Sequence, residues 1–238
     1  MRNGLARLLL AGCVAVLTAA LGATGALAAT RGAGAVPAAT QAAGATRGAG
    51  TALAPATWTI TPGGAVTAKS GLAPITDTKT GKLATCMSLT ASGTLKSGSG
   101  LPGSGAGSIA AFGLNRCTNP LASAARRVTF TMTATGLPWH LNLASYGNGV
   151  ATGTISHMQV QLAGPSCSAV IDGTSATARD GHVRFRYNDG TGRLTVLTAG
   201  SGLHFLDVQG CYGLILNSDP ATIGATFAVT PEQGITSP

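Results

Sequence analysis

Between Gly181 and Leu197 apolar and polar positions alternate with a period of two. Val183, Phe185 and Tyr187 take turns with Arg184 and Arg186, and Leu194 and Val196 with Arg193 and Thr195. That period is a strand signature, and Asp189-Gly190 between the two runs is a turn dipeptide, so the stretch predicts a β-hairpin. A two-residue turn at Asp189-Gly190 would set Phe185 opposite Leu194 and Val183 opposite Val196, apolar facing apolar. The same count puts Arg186 opposite Arg193 on the outer face, a like-charge pair with a small cost in stability.

The alternation recurs along the chain. Trp58 and Ile60 share a face ahead of a Pro62-Gly63-Gly64 turn, Val66 starts a further strand, and a run from Leu83 to Leu95 follows the turn Lys79-Thr80-Gly81. Residues 97–107, SGSGLPGSGAG, are nearly free of side chains and predict a mobile loop. The run Gly107 to Cys117 returns as a strand, and Val128, Phe130 and Met132 then alternate with threonines. After a break at Leu137-Pro138, Trp139, Leu141 and Leu143 face one way and His140, Asn142 and Ala144 the other, ending in a second hairpin signal at Gly147-Asn148-Gly149. On the return the phase slips. Ile155 lies on one face and Met158, Val160 and Leu162 on the other, which predicts a β-bulge near Ser156-His157. Ala169 and Ile171, a turn at Asp172-Gly173, a run from Leu203 to Cys211 and a last strand with Ile223, Ala225, Phe227 and Val229 complete the pattern. About ten to twelve short strands at regular spacing predict an all-β domain, an antiparallel β-sandwich or β-barrel.

Composition agrees with strands and tight turns: 9% of residues are charged, 4% aromatic, and 35 are glycine. The N-terminus carries Arg2 and Arg7, an apolar run from Leu8, and an A-x-A site at Ala26-Leu27-Ala28, the pattern of a secretory signal peptide over 1–28. Cys13 ends a lipoprotein-like box, but the apolar run before it is too short for such a signal. Residues 29–56 are mostly Ala, Gly, Thr and Pro, with ATRGAG occurring twice, and predict a flexible linker ahead of a domain over 57–238. No second long apolar run exists, so no membrane span is expected.

Cys86, Cys117, Cys167 and Cys211 remain after the signal peptide, an even number in a chain read as exported. Sequence allows three pairings; the nearest-neighbour one joins Cys86 to Cys117 and Cys167 to Cys211. The cysteines show no C-x-x-C spacing and no nearby histidine, so neither zinc nor another metal is expected.

The phrases TWTITPGGAVTA (57–68), LPWHLNLASY (137–146), GPSCSAVIDG (164–173), LHFLDVQGCYGLI (203–215) and the tail TPEQGITSP together resemble a group of small secreted β-rich proteins of high-GC Gram-positive bacteria with no assigned activity. The resemblance spans Thr57 to Pro238 and rests on Trp, Gly, Cys and Pro landmarks. It implies export and a disulfide-bonded β domain, and it assigns no catalytic residue.

The chemistry-bearing residues are sparse. Gly98-Ser99-Gly100-Leu101-Pro102-Gly103 matches G-x-G-x-x-G, but no helix follows to receive a phosphate, so it reads as a loop and no cofactor is expected. His140, His157, His182 and His204 lack metal spacing, and strand phase turns His140 outward; His157, at the expected bulge, is the candidate for a functional histidine. Asp172, Asp180 and Asp189 sit at turns, where aspartate serves geometry; Asp207 alone falls inside a strand. Trp58, Trp139 and Tyr187 are in phase with core positions, which leaves Tyr146 and Tyr212 open as candidates for stacking on sugars. No G-x-S-x-G elbow is present. The net charge of +8 falls to about +4 once Arg2, Arg7, Arg31 and Arg47 are set aside. Scattered bases do not make a nucleic-acid footprint. The outward Arg184, Arg186 and Arg193 do form a local basic patch, suited to an anionic cell-wall polymer or another envelope component. The expectation is a secreted, non-enzymatic binding or structural module outside the cell or at its envelope. The alternative is a hydrolase of wall or environmental polymers, which would need a pocket bringing His157 or Asp207 to a second titratable group.

Overall fold

The computed structural model describes residues 56–81, 84–119 and 129–238. The expected signal peptide with Cys13, the expected linker apart from residue 56, and the strand positions Leu83 and Val128 lie outside the described residues.

Among the described residues the chain is all-β, with sixteen strands and one 3-10 turn at Cys211–Gly213. The strands outnumber the expected ten to twelve because short breaks divide most of the long alternating runs. Three strands are continuous: β4 (Ala84–Leu95), β6 (Gly107–Thr118) and β9 (Val150–Gly164). Ten others lie end to end in five pairs. These are β2 (Gly64–Ser70) with β3 (Ala73–Asp77), β7 (Thr129–Thr135) with β8 (Trp139–Gly147), β10 (Cys167–Asp172) with β11 (Gly181–Asn188), β12 (Arg193–Leu197) with β13 (Leu203–Gly210), and β14 (Asp219–Ile223) with β15 (Ala225–Thr230). Both members of each pair ladder against the same neighbours, so each pair acts as one long stave.

Every stave pairs antiparallel with the stave that follows it in the chain, and the last, β14/β15, pairs with the first, β3 and β2. The hydrogen-bond ladder therefore closes, and of the two architectures expected from sequence the barrel is the one formed: an up-and-down barrel of eight staves. A barrel of that size has an interior just wide enough to be filled by side chains or to hold one small ligand.

The three remaining strands cross one end. β1 (Thr57–Thr61) lies between β5 (Gly98–Pro102) and β16 (Gly234–Thr236), and it buries Trp58 and Ile60 against the barrel. This small sheet is called the lid. Its β5 corrects the expectation of a mobile loop over 97–107. Gly103 serves close packing, since a Cβ there would stand 2.8 Å from Trp58 Nε1. The Gly103 carbonyl accepts from the Leu143 amide at 2.8 Å, and Ala106 is buried.

The hairpin expected over Gly181 to Leu197 is present with a different register. Asn188 pairs with Arg193, Tyr187 with Leu194, Arg186 with Thr195 and Phe185 with Val196, leaving a four-residue loop where two residues were expected. The Thr191 hydroxyl donates to Asn188 Oδ1 at 2.9 Å, and Gly192 takes a φ of 60° that other residues rarely adopt, which lengthens the turn. The Arg186–Arg193 like-charge pair is consequently not formed. A shift of two keeps each residue on its face, so Val183, Phe185 and Val196 remain buried. The bulge on β9 is where the phase slip puts it: the register against β11 jumps between Ser156 and Met158, and His157 carries a φ of 63°.

Both disulfides join the expected partners, Cys86 with Cys117 and Cys167 with Cys211. They sit at the end of the barrel opposite the lid, where Cys86 and Cys117 face each other across β4 and β6. Ile75, Phe130, Leu162, Ile171 and Phe205 fill the barrel at that end. Two buried aspartates organise its wall. Asp172 Oδ1 accepts from the amides of Gly173, Asp180 and Gly181 at 2.7, 3.1 and 2.9 Å, while Oδ2 accepts from Gln159 Nε2 and the Arg179 amide at 2.9 and 3.1 Å. Asp219 at the start of β14 meets Lys79 Nζ at 2.6 Å through Oδ1 and the Leu216 amide at 2.9 Å through Oδ2.

Candidate functional site

Alternation on three adjacent staves builds one polar outer face. On β11 the residues His182, Arg184 and Arg186 point outward between buried Gly181, Val183, Phe185 and Tyr187. Register places Ser156, Thr154 and Thr152 of β9 beside them, and His140, Asn142 and Ser145 of β8 beside those. The hydroxyl and amide groups cross-link the strands: Asn142 Nδ2 donates to Ser156 Oγ at 3.1 Å, and Ser145 and Thr152 hydroxyls are 2.6 Å apart. The bulge turns His157 onto this same face, with Nδ1 3.2 Å from Ser156 Oγ and its ring centroid 4.6 Å from that of His140.

Of the residues singled out from sequence, Arg184, Arg186 and His157 thus share the face. Arg193 borders it on β12, where Ala228 separates it from Lys69 of β2. β8, β9, β11 and β12 contain no carboxylate. Among the described residues the one ion pair is Lys79–Asp219, so none of the three arginines is neutralised by an acid. Glu232 packs its side chain against Gly192, next to Arg193, without forming an ion pair, and two acids at the ends of β11 are bound by other groups. Tyr146 donates to Asp189 Oδ2 at 3.0 Å, a bond that also raises the phenol above its usual range. Asp180 accepts from the Thr174 hydroxyl and amide at 2.6 and 2.8 Å, and these bonds hold its carboxyl below the ordinary range.

Sequence reasoning missed His140, Asn142, Thr152 and Thr154 as members of the face. Their outward phase was readable, but which strands stand side by side depends on register. Asp207, the candidate acid, is an exposed residue of β13 with a φ of 49°. Tyr212 is 83% exposed, whereas Trp58, Trp139 and Tyr187 are buried as their phase requires.

Beneath the lid lies a partly enclosed chamber of about 90 Å³, bordered by Leu89, Phe112, Trp139, Met158, Phe185 and Phe227, with Tyr187, Gln233 and Ile235 at its top and the exposed Thr67 on its β2 side. Neither His157 nor Asp207 borders it. Among the described residues Tyr187 is the only titratable group on its wall, and burial raises this phenol. At about 24 cal/mol per Å³, an empty space of this size costs roughly 2 kcal/mol of stability.

No known family, curated protein or solved structure matches the chain. Among the described residues no helix is long and apolar enough to cross a membrane, and no three His, Cys, Asp or Glu side chains cluster at metal-binding distance.

Proposed function

We propose that the protein is a secreted, non-enzymatic binding module that holds an anionic envelope or extracellular polymer on the β8–β9–β11 face. The observation that carries this reading is an outer face with unneutralised arginines, hydroxyl groups between them and no acid on β8, β9 or β11. Arg184 and Arg186 are two residues apart on one strand, so they follow a linear polyanion along the barrel axis, and guanidinium forks suit phosphate or carboxylate groups. The neighbouring Thr152, Thr154 and Ser145 hydroxyls fit sugar or polyol oxygens. Two disulfides support an oxidising location, as does the signal-like N-terminus. The separation of His157 and Asp207 from the chamber supports binding over hydrolysis.

Retention on purified anionic wall polymer at low and high salt tests the reading. Binding should weaken with salt, because exposed charges are screened beyond about 10 Å at 0.1 M. Replacing Arg184, Arg186 and Arg193 together by Ala removes three contacts of about 0.5 kcal/mol each, a loss of roughly tenfold in affinity. Undiminished retention by that variant would dismiss the arginine face.

A further inference from the structure

We propose that the chamber beneath the lid is a binding site for one small neutral apolar molecule, no larger than a single aromatic ring. The site goes beyond the polymer-binding reading and shares no residue with it. The chamber, about 90 Å³, presents aromatic walls: the Phe112 ring centroid lies 4.9 Å from that of Trp139 and 6.4 Å from that of Phe227. An apolar cavity of about 150 Å³ lined by similar side chains stays dry and takes up benzene or xenon, so the smaller chamber fits an occupant at the low end of that range.

The polar groups at the top of the chamber are already engaged. Tyr187 Oη donates to the Gln233 carbonyl at 2.9 Å and accepts from the Gln233 amide at 2.8 Å. Gln233 Oε1 accepts from the Gly63 amide and Nε2 donates to the Pro231 carbonyl, each at 2.9 Å. A buried water needs two to four polar partners, and a charged or hydrogen-bonding ligand would lose its own without replacement. An apolar ligand loses nothing.

Two wall positions keep the space open without a backbone reason. Gly93 is held by close approach, since a Cβ there would collide with the Ser108 carbonyl oxygen. Ala68 and Ala91, directly opposite each other on β2 and β4, carry no such constraint, and larger side chains there would fill the chamber.

The test uses the whole chain with benzene and xenon as probes. Titration with benzene, followed by methyl NMR, should shift Leu89 and Ile155 saturably and leave Ile75 and Ile171 at the far end unmoved; absence of saturable shifts up to the solubility of benzene overturns the proposal. Ala91→Leu should weaken benzene binding at least tenfold with the melting temperature held or raised, and a folded Ala91→Leu that binds as tightly as the parent also overturns it. Should Ala91→Leu not fold, Ala68→Leu takes its place, and crystals of the unaltered protein under xenon provide an independent reading: density in the chamber supports the site, and its absence rejects it. Polymer retention by either Leu variant should equal that of the parent, which keeps this outcome separate from that of the arginine face.

Discussion

Asp172 shows how much one side chain can hold. Five donors converge on its two oxygens, four of them backbone amides of residues 173 and 179–181. The excursion between β10 and β11 therefore folds back on the strand it leaves, and His182 and Arg184 start from a fixed backbone. Asp172→Ala leaves those buried amides without an acceptor and should cost about 3 to 5 kcal/mol, read from the urea midpoint. A change below 1 kcal/mol would show that water reaches the amides. The sequence marked Asp172 as a turn former, which is correct in kind. Its burial was not legible, because the donors come from a loop whose course depends on β10 and β11 sharing one edge of β9.

At the scale of elements, Lys79 ties the turn after β3 to the start of β14. Its ammonium group holds the Asp219 carboxyl below the ordinary range, helped by the Leu216 amide, and is itself raised by Asp219. A depressed carboxyl contributes stability above its unfolded value of about 3.9 and loses it as pH falls through the folded value. The raised ammonium contributes below about 10.4 and loses its share as pH rises through the folded value. Urea midpoints measured from pH 6 to pH 2 should therefore fall in the acid limb, and Lys79→Met should lower the neutral plateau and flatten that limb. An unchanged acid limb in Lys79→Met would remove the pair from the account. The disulfides secure the same end, each closing a loop of 31 or 44 residues worth about 4 kcal/mol in the chain-entropy model.

Element type was well encoded. The β9 bulge followed from Ile155 and Met158 lying out of phase, and the break before β8 from Leu137-Pro138. Register was encoded less well, because two registers of the β11–β12 hairpin that differ by two residues bury the same side chains. Only the Asn188 side chain and Gly192 decide between them. The lid strand β5 escaped notice because pattern reading needs side chains, and its Gly-Ser sequence offers almost none.

Over the whole molecule, closure creates both candidate sites. The polar face needs β8, β9 and β11 side by side, and the chamber exists because eight staves enclose slightly more space than their inward side chains occupy. Neither property belongs to any single strand, so neither could be read from local sequence. Closure also leaves the barrel without a free edge for strand addition, which favours recognition through side chains on its outer wall.

The lid carries one more consequence. β1 and β16 are paired neighbours, and the Ser237 hydroxyl donates to the Thr57 carbonyl at 2.9 Å, so the first and last strands of the domain meet at one place. With every stave beside its chain neighbour, the order of connection is a cycle with an arbitrary starting point. A circular permutant that joins Pro238 to Ala56 through a short Gly-Ser linker and opens between Asn148 and Gly149 should fold to the same barrel, with matching far-ultraviolet circular dichroism and both disulfides formed. Failure to fold would mean that the β8–β9 turn nucleates the ring, and that the cycle, though closed in space, has a fixed beginning in time.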